Sequence, residues 1–376
     1  MASKTMATTI STIASLIVIG ISSNQTAIAT TLYHITDIGT LSGTSSTAVD
    51  INDLGQVVGT SDTTSGDLGY VPGAFLWENG IIRNLGFSRA NSINNSGQVV
   101  GLLERENSGL GRAVLWQNGA LKDIGALYPN GESFATDIND TGQIIGSSES
   151  DGSCLLKVDS SGNVISNSIP FPIRNTLFQS INNSSQIAGA ISREEFNAFL
   201  AENGVLTELE PLPNDTSSLA QNINNFGQIV GYSYSTSGPT FDPKAVVWKN
   251  GKITQLETSN SYLSIAQDIS DSGQIVGYNF AANNIYGNTS ALLWVNSKVL
   301  NLNSLVAPNS DKFDVLTKAN GINNVGQIVG TGLINGQERA FLATPIFVDE
   351  PASILGLLTV GTLGVSSAFR CKLKQR

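Results

Sequence analysis

The sequence predicts an all-β protein, a seven-bladed β-propeller of four-stranded blades, and three observations predict it. A motif typified by Ile223-Asn224-Asn225-Phe226-Gly227-Gln228-Ile229-Val230-Gly231 occurs seven times, with its isoleucine at Ile51, Ile93, Ile138, Ile181, Ile223, Ile269 and Ile322. Spacings of 42 to 53 residues match propeller or solenoid arrays. Most copies also hold four short apolar runs separated by turn residues, and four strands make one blade. Finally, the seventh copy stops after its third run, while an orphan run, Leu32 to Leu41, matches the fourth-run pattern and stands before the first copy. An N-terminal strand that completes the last blade closes a ring and removes an aggregation-prone edge. A solenoid has no use for such a clasp.

Taken in order, the chain begins with Lys4, an apolar stretch Ile10 to Ile21 and the small residues Ala27-Ile28-Ala29. That pattern is an export signal over 1–29, cleaved after Ala29. The propeller is expected over 30–347. In most repeats the first run enters Asn-Asn-x-Gly or Asn-Asp-x-Gly and leaves through Gln-Ile-Val-Gly or a close variant, a hairpin built on residues that tolerate positive φ; only Ser185 replaces the turn glycine. The third run is Ala74-Phe75-Leu76-Trp77 in the first copy and Ala245-Val246-Val247-Trp248 in the fifth, and degenerates to Ser153-Cys154-Leu155-Leu156 in the third. Asn-Gly pairs such as Asn79-Gly80 lead to the fourth run, as at Ile82 to Gly86.

The chain ends with Val348-Asp349-Glu350-Pro351-Ala352-Ser353, an apolar run over 354–369 and a basic cluster, Arg370, Lys372, Lys374 and Arg376. This reads as a hydrophobic helix with a positive-inside stop. Sixteen helical residues span about 24 Å, short of the roughly 30 Å hydrocarbon core, which suits a transient anchor.

The tail resembles the PEP-CTERM sorting signal of exopolysaccharide-producing Gram-negative bacteria. Glu350 and Pro351 match its core, while Asp349 stands where a proline is usual. The resemblance implies processing by an exosortase, a membrane transpeptidase. The repeats resemble HAF repeats, keeping Ala-Phe-Leu-Trp at Ala74 to Trp77 without the histidine. That resemblance implies an extracellular protein with no assigned activity.

All 30 acidic residues lie between Asp37 and Glu350, whereas five of the 20 basic ones lie outside that span, so the body carries a net charge of −15. Nucleic acid is excluded as a partner, because phosphate binding needs clustered Lys and Arg. With 13% charged residues and 38 glycines, the composition is that of a turn-rich β protein, and apolar periodicity throughout excludes disorder. Cys154 lies in a strand and reads as a small buried hydrophobe; Cys371 lies in the tail, so no disulfide is expected. The one histidine, His34, falls in the clasp, which rules out histidine triads and clustered histidine metal sites. No catalytic residue and no cofactor are expected. Asp50 to Gly55 and Asp137 to Gly142 begin like calcium loops, but Phe226 and Val325 occupy the fifth position in other copies and no glutamate closes a loop. Hairpin turns with Asx caps account for them, and a structural cation such as calcium is the minor reading.

Two sets of candidate residues remain. Before each repeat isoleucine stand Asp50, Ser92, Asp137, Ser180, Asn222, Asp268 and Gly321, an expected ring around the central channel. Either small residues fit a crowded axis there, or the channel is polar enough to hold a cation or water. The connections between second and third strands vary most, as binding loops do. The fifth and sixth copies place Tyr232, Tyr234, Phe241, Tyr278, Phe280 and Tyr286 there. Aromatic faces among Asn and Ser suit stacking on a neutral polysaccharide, and strand-end packing explains them as well. The expected function is an exported cell-surface or matrix binding or structural module. The alternative is a glycan hydrolase or lyase with paired carboxylates on one face of the ring.

Overall fold

The computed structural model describes residues 31–346 apart from the short stretches 66–68, 105–110, 126–131, 149–151, 169–174, 238–240, 259–261, 282–288 and 297. The expected signal segment 1–29, the Glu350-Pro351 motif, the apolar run 354–369, Cys371 and Tyr286 lie outside the described residues. Among the described residues no helix is long and apolar enough to cross a membrane.

Seven four-stranded antiparallel sheets form the blades, and in each the strand preceding the Asx turn is an edge strand. These first strands contact one another around the ring, blade 7 against blade 1 included. Blades 1 to 6 cover 46–84, 89–123, 133–168, 176–209, 217–255 and 262–301, and blade 7 covers 315–346 plus Leu32–Gly39. The clasp is therefore real: Leu32–Gly39 pairs antiparallel with Gln337–Ile346, from Leu32 opposite Ile346 to Gly39 opposite Ala340. Arg339 ties it further, its guanidinium 2.7 Å from the Asp37 carboxylate.

Cores form between blades. Ile38, Ala48, Ile51, Val57, Phe75, Val329 and Ala340 make one cluster across the closure, of the same kind as Val230, Ala245, Ala266, Ile275 and Trp294 between blades 5 and 6. An alanine of the third strand packs here in six of the seven blades, each fully or nearly fully buried. Its N–H often donates to a serine of the next blade, as Ala198 to Ser218 (3.1 Å) and Ala340 to Ser46 (3.0 Å). Cys154 is buried in its strand, as expected of a small apolar residue.

Every first strand carries a bulge one residue before the channel position, for example at Gln221 between Ala220 and Asn222. Opposite it sits the final glycine of Gln-Ile-Val-Gly, which therefore lies inside the second strand. The first strand presses on that glycine: a Cβ on Gly231 would overlap the Leu219 carbonyl oxygen, and the same holds from Gly59 to Gly330.

The hairpins give the ring two distinct faces. First strands run into the Asx turns and third strands into turns such as Asn79-Gly80, so both turn types share one face, the turn face. The second-to-third connections lie on the opposite, loop face. Both described chain ends reach the turn face, since Leu32 and Ile346 are paired and the Pro345 ring lies beside Gly326 of the last Asx turn.

Candidate functional site

The axial channel, about 470 Å³ in volume, is lined by the channel-ring and Asx-turn residues. Each Asx turn is closed by the backbone N–H of a residue at positive φ, here Gly227 at 70°, which donates to the Asn224 carbonyl at 3.0 Å, and Ser185 takes the same conformation at 64°. Asn224 closes its turn by accepting the N–H groups of Phe226 and Gln228 on Oδ1, at 3.1 and 2.9 Å. Its Nδ2 donates to Gln228 Oε1 at 2.9 Å and to the Ser270 carbonyl of the next blade at 3.0 Å. The same cross-blade bond joins Asn52 to Asn94, Asn94 to Asn139, Asn139 to Asn182, Asn182 to Asn224 and, across the closure, Asn323 to Asn52. Blade 6 departs from the pattern: the shorter Ser270 hydroxyl bonds within its own turn.

A second ring lies at the turn-face mouth. The N–H of Asp53 donates to Asn95 Oδ1, Asn95 to Asp140, Asp140 to Asn183, Asn183 to Asn225, Asn225 to Asp271, Asp271 to Asn324 and Asn324 back to Asp53, all at 2.8–2.9 Å. In the sequence these residues read only as turn formers. Their signal was legible, since the column reads Asp or Asn in all seven copies, yet only closure turns it into a ring.

Six of the seven residues expected to ring the channel line it. Asp50, Ser92, Asp137, Ser180, Asn222 and Asp268 line the channel, and no basic residue is among the described residues that do. Each aspartate bridges two blades. Asp50 accepts the N–H of Ile51 at 2.7 Å and of Ile93 at 2.9 Å. Asp268 accepts those of Ile269 and Ile322, both at 2.7 Å. Asp137 accepts Ile138, Ile181 and the Ser92 hydroxyl, at 2.8, 2.8 and 2.6 Å. Burial, with the neighbouring Asp137 charge, pushes Asp50 up to about 6 against the pull of its N–H donors. Burial and the Asp50 charge push Asp268 up to about 7. Among the described residues no three carboxylate, thiol or imidazole groups are grouped so as to hold a metal ion. Through their bonds to the next blade the aspartates act as bolts between blades.

On the loop face the aromatic candidates need correction. Tyr232 and Tyr234 lie in the strand Ile229–Tyr234, and Tyr278 and Phe280 in Ile275–Ala281, so these four are strand residues and not loop residues. The strand period, which carries on past the motif glycine, decides this. Phe280 is only 3% exposed and belongs to the core. Tyr232, Tyr234 and Phe241 form one cluster with ring centroids 5.2–5.9 Å apart, and Phe241 is 40% exposed. Burial and the nearby Tyr234 and Tyr278 hydroxyls push the Tyr232 phenol up to about 12. Tyr278 carries the Lys318 ammonium over one ring face, 5.4 Å from its centroid.

The same rows of the sheets define the loop-face mouth. Phe134 lines the channel, and the register places Leu177, Leu219 and Ile265 at the matching position of blades 4, 5 and 6, with Lys318, Thr47 and Arg89 in blades 7, 1 and 2. An apolar arc thus faces a polar, basic one, and Tyr232 and Tyr278 are the cross-strand partners of Leu219 and Ile265.

No protein-family model matches the chain, and no curated protein sequence matches it. The architecture is similar to the beta-propeller domain of the Trilobed protease from Pyrococcus furiosus, with TM-score 0.53 and 12% identity over 85% of this chain and 100% of that one. That domain is described as having an open velcro topology, whereas here the first strand closes the last blade. Pyrococcus horikoshii acylaminoacyl peptidase is similar at TM-score 0.50 and 12% identity, over 82% of this chain and 52% of that one. The chain therefore spans about half the length of that peptidase. At such identity the likeness is one of fold alone.

Proposed function

We propose that the protein is an exported surface or matrix module that binds neutral polysaccharide on the loop face of its ring. The observation that carries this reading is the cluster of Tyr232, Tyr234 and Phe241 beside Tyr278, set next to an apolar arc on an otherwise Asn- and Ser-rich scaffold. Pyranose rings offer C–H faces to aromatic side chains, and a rigid ring presents those side chains without an ordering cost. A body of net charge −15 disfavours anionic polymers within about 8 Å, the Debye length at physiological salt. The export signal and the PEP-CTERM-like tail, with its exosortase-like processing partner, support a cell-envelope or extracellular location. They also agree with HAF-like repeats in a chain associated with exopolysaccharide.

The channel carboxylates do not favour a hydrolase or lyase. Asp50 and Asp268 titrate high enough to act as acids, but both oxygens of each already accept backbone N–H bonds that hold adjacent blades together. The test is a screen of the purified body against neutral glycans, followed by Tyr234→Ala and Tyr278→Ala. Each variant is expected to weaken binding about tenfold, the loss of roughly 1.4 kcal/mol of contact, with little change in melting temperature. Absence of binding by the wild type to any neutral glycan refutes the reading, and a melting temperature lower by several degrees in both variants assigns the rings to packing.

A further inference from the structure

The turn face is more apolar at its tips than a free surface of Asx turns requires. At the variable position of the turns Leu54, Phe226 and Val325 are 70, 74 and 54% exposed. Ile81 and Val205, beside the Asn-Gly turns on the same face, and Ile346 at the end of the last strand are exposed as well. These six are half of the large apolar residues exposed among those described, whereas the loop face gathers its apolar side chains around the channel mouth and the tyrosine cluster.

The chain leaves the ring from this same face. Ile346 is paired with Leu32, and Pro345 lies beside Gly326. Seven residues, 347–353, separate the last described strand from the apolar run 354–369. Fully extended they reach about 24 Å, roughly the height of a blade, which is too short a tether to pass around the rim and bring the loop face to the place where that run is held. Charge then selects the kind of surface. Asp53, Asp140 and Asp271 ring the mouth, with Asp50, Asp137 and Asp268 deeper in the channel. An anionic lipid surface would repel them, and a zwitterionic one would not.

We infer that the turn face is a lipid-facing surface, seated through Leu54, Phe226 and Val325 on the zwitterionic bilayer that holds the 354–369 segment. The inference rests on reading that segment as a membrane anchor. It also orients the molecule: the tyrosine cluster of the loop face points away from the bilayer, toward the polymer it is proposed to bind.

The experiment uses the full chain with Cys371→Ser, since Cys154 is buried. Single cysteines are introduced at Phe226→Cys and Val325→Cys on the turn face and at Phe241→Cys on the loop face, and each is labelled with a polarity-sensitive fluorophore. The proteins are reconstituted into phosphatidylcholine vesicles with and without brominated acyl chains. Labels at 226 and 325 are expected to shift to the blue and to be quenched by the brominated lipid, while the label at 241 does neither; adding phosphatidylglycerol is expected to reduce both effects. If the chain floats with the vesicles but the turn-face labels report water, the lipid-facing surface is overturned and the anchor stands. If the chain does not float with vesicles, the anchor fails and the inference with it. A blue shift without vesicles, accompanied by a doubled mass in sedimentation, overturns it in favour of stacking between two rings.

Discussion

At Gly231 a methyl group would meet the Leu219 carbonyl oxygen, because the bulge at Gln221 bends the first strand onto the second. Backbone cannot yield there as a flexible side chain can. Gly231→Ala is expected to cost about 3 kcal/mol or more in urea unfolding. Gly251→Ala, where φ is 73° and no atom lies within 4 Å, should cost only about 1 kcal/mol. The channel aspartates supply a second residue-scale effect. Asp50 and Asp268 titrate near 6 and 7 when folded and near 4 when unfolded. Between about pH 4 and 7 the folded state therefore holds protons that the unfolded chain has released. Their stabilisation is fully present below pH 4 and is lost as pH rises through 6 and 7, so the melting temperature should be higher at pH 5 than at pH 8. Asp50→Asn with Asp268→Asn should flatten that slope, while replacing at each site one oxygen that accepts a backbone N–H by a nitrogen that cannot. A melting curve that rises with pH over this range would contradict the assignment.

The element that repeats is a turn that also bonds to its neighbour. Asn in the first Asx position caps its own loop and reaches the next blade's carbonyl, whereas Ser270 satisfies only its own turn. Ser270→Asn should therefore add the missing bond to Asn323 and stabilise the protein by about 1 kcal/mol, the usual net worth of one such bond. Asn224→Ala should destabilise it by more, since it strands two N–H donors and a neighbouring carbonyl. Chemical denaturation of the two variants beside the wild type checks both signs; a destabilised Ser270→Asn would mean that the blade 6 turn sits too far from blade 7.

Closure is a property of the whole ring. Among the bonds that cross from blade 7 to blade 1 are Asn323 to Asn52, Asn324 to Asp53, Asn320 to Ala48 and Ala340 to Ser46. The clasp strand adds the outer edge of blade 7, with Tyr33 and Ile35 fully buried. Deleting 32–41 removes those side chains and leaves an unpaired edge along Gln337–Ile346, so the melting temperature should fall by ten degrees or so, and aggregation should rise. Unchanged melting would show that the Asx bonds alone hold the ring.

The amino-acid sequence alone sufficed for the number of blades, the four strands of each and the clasp. Those follow from local chemistry repeated seven times: a period-two apolar pattern, glycine or asparagine where φ turns positive, and a leftover strand that matches a missing one. It did not determine what the repeated polar residues do. The second Asx column became a closed ring only because blade 7 returns to blade 1, and Asp50 and Asp268 titrate high only because folding buries them and brings the charges of three blades together. Nor did it place the aromatics, since Tyr232 and Phe280 have the same composition signal whether they end a strand or tip a loop. Which face they share with Leu219 and Ile265, and which face the chain leaves from, was decided by register and ring closure, long-range pairings that no local pattern encodes.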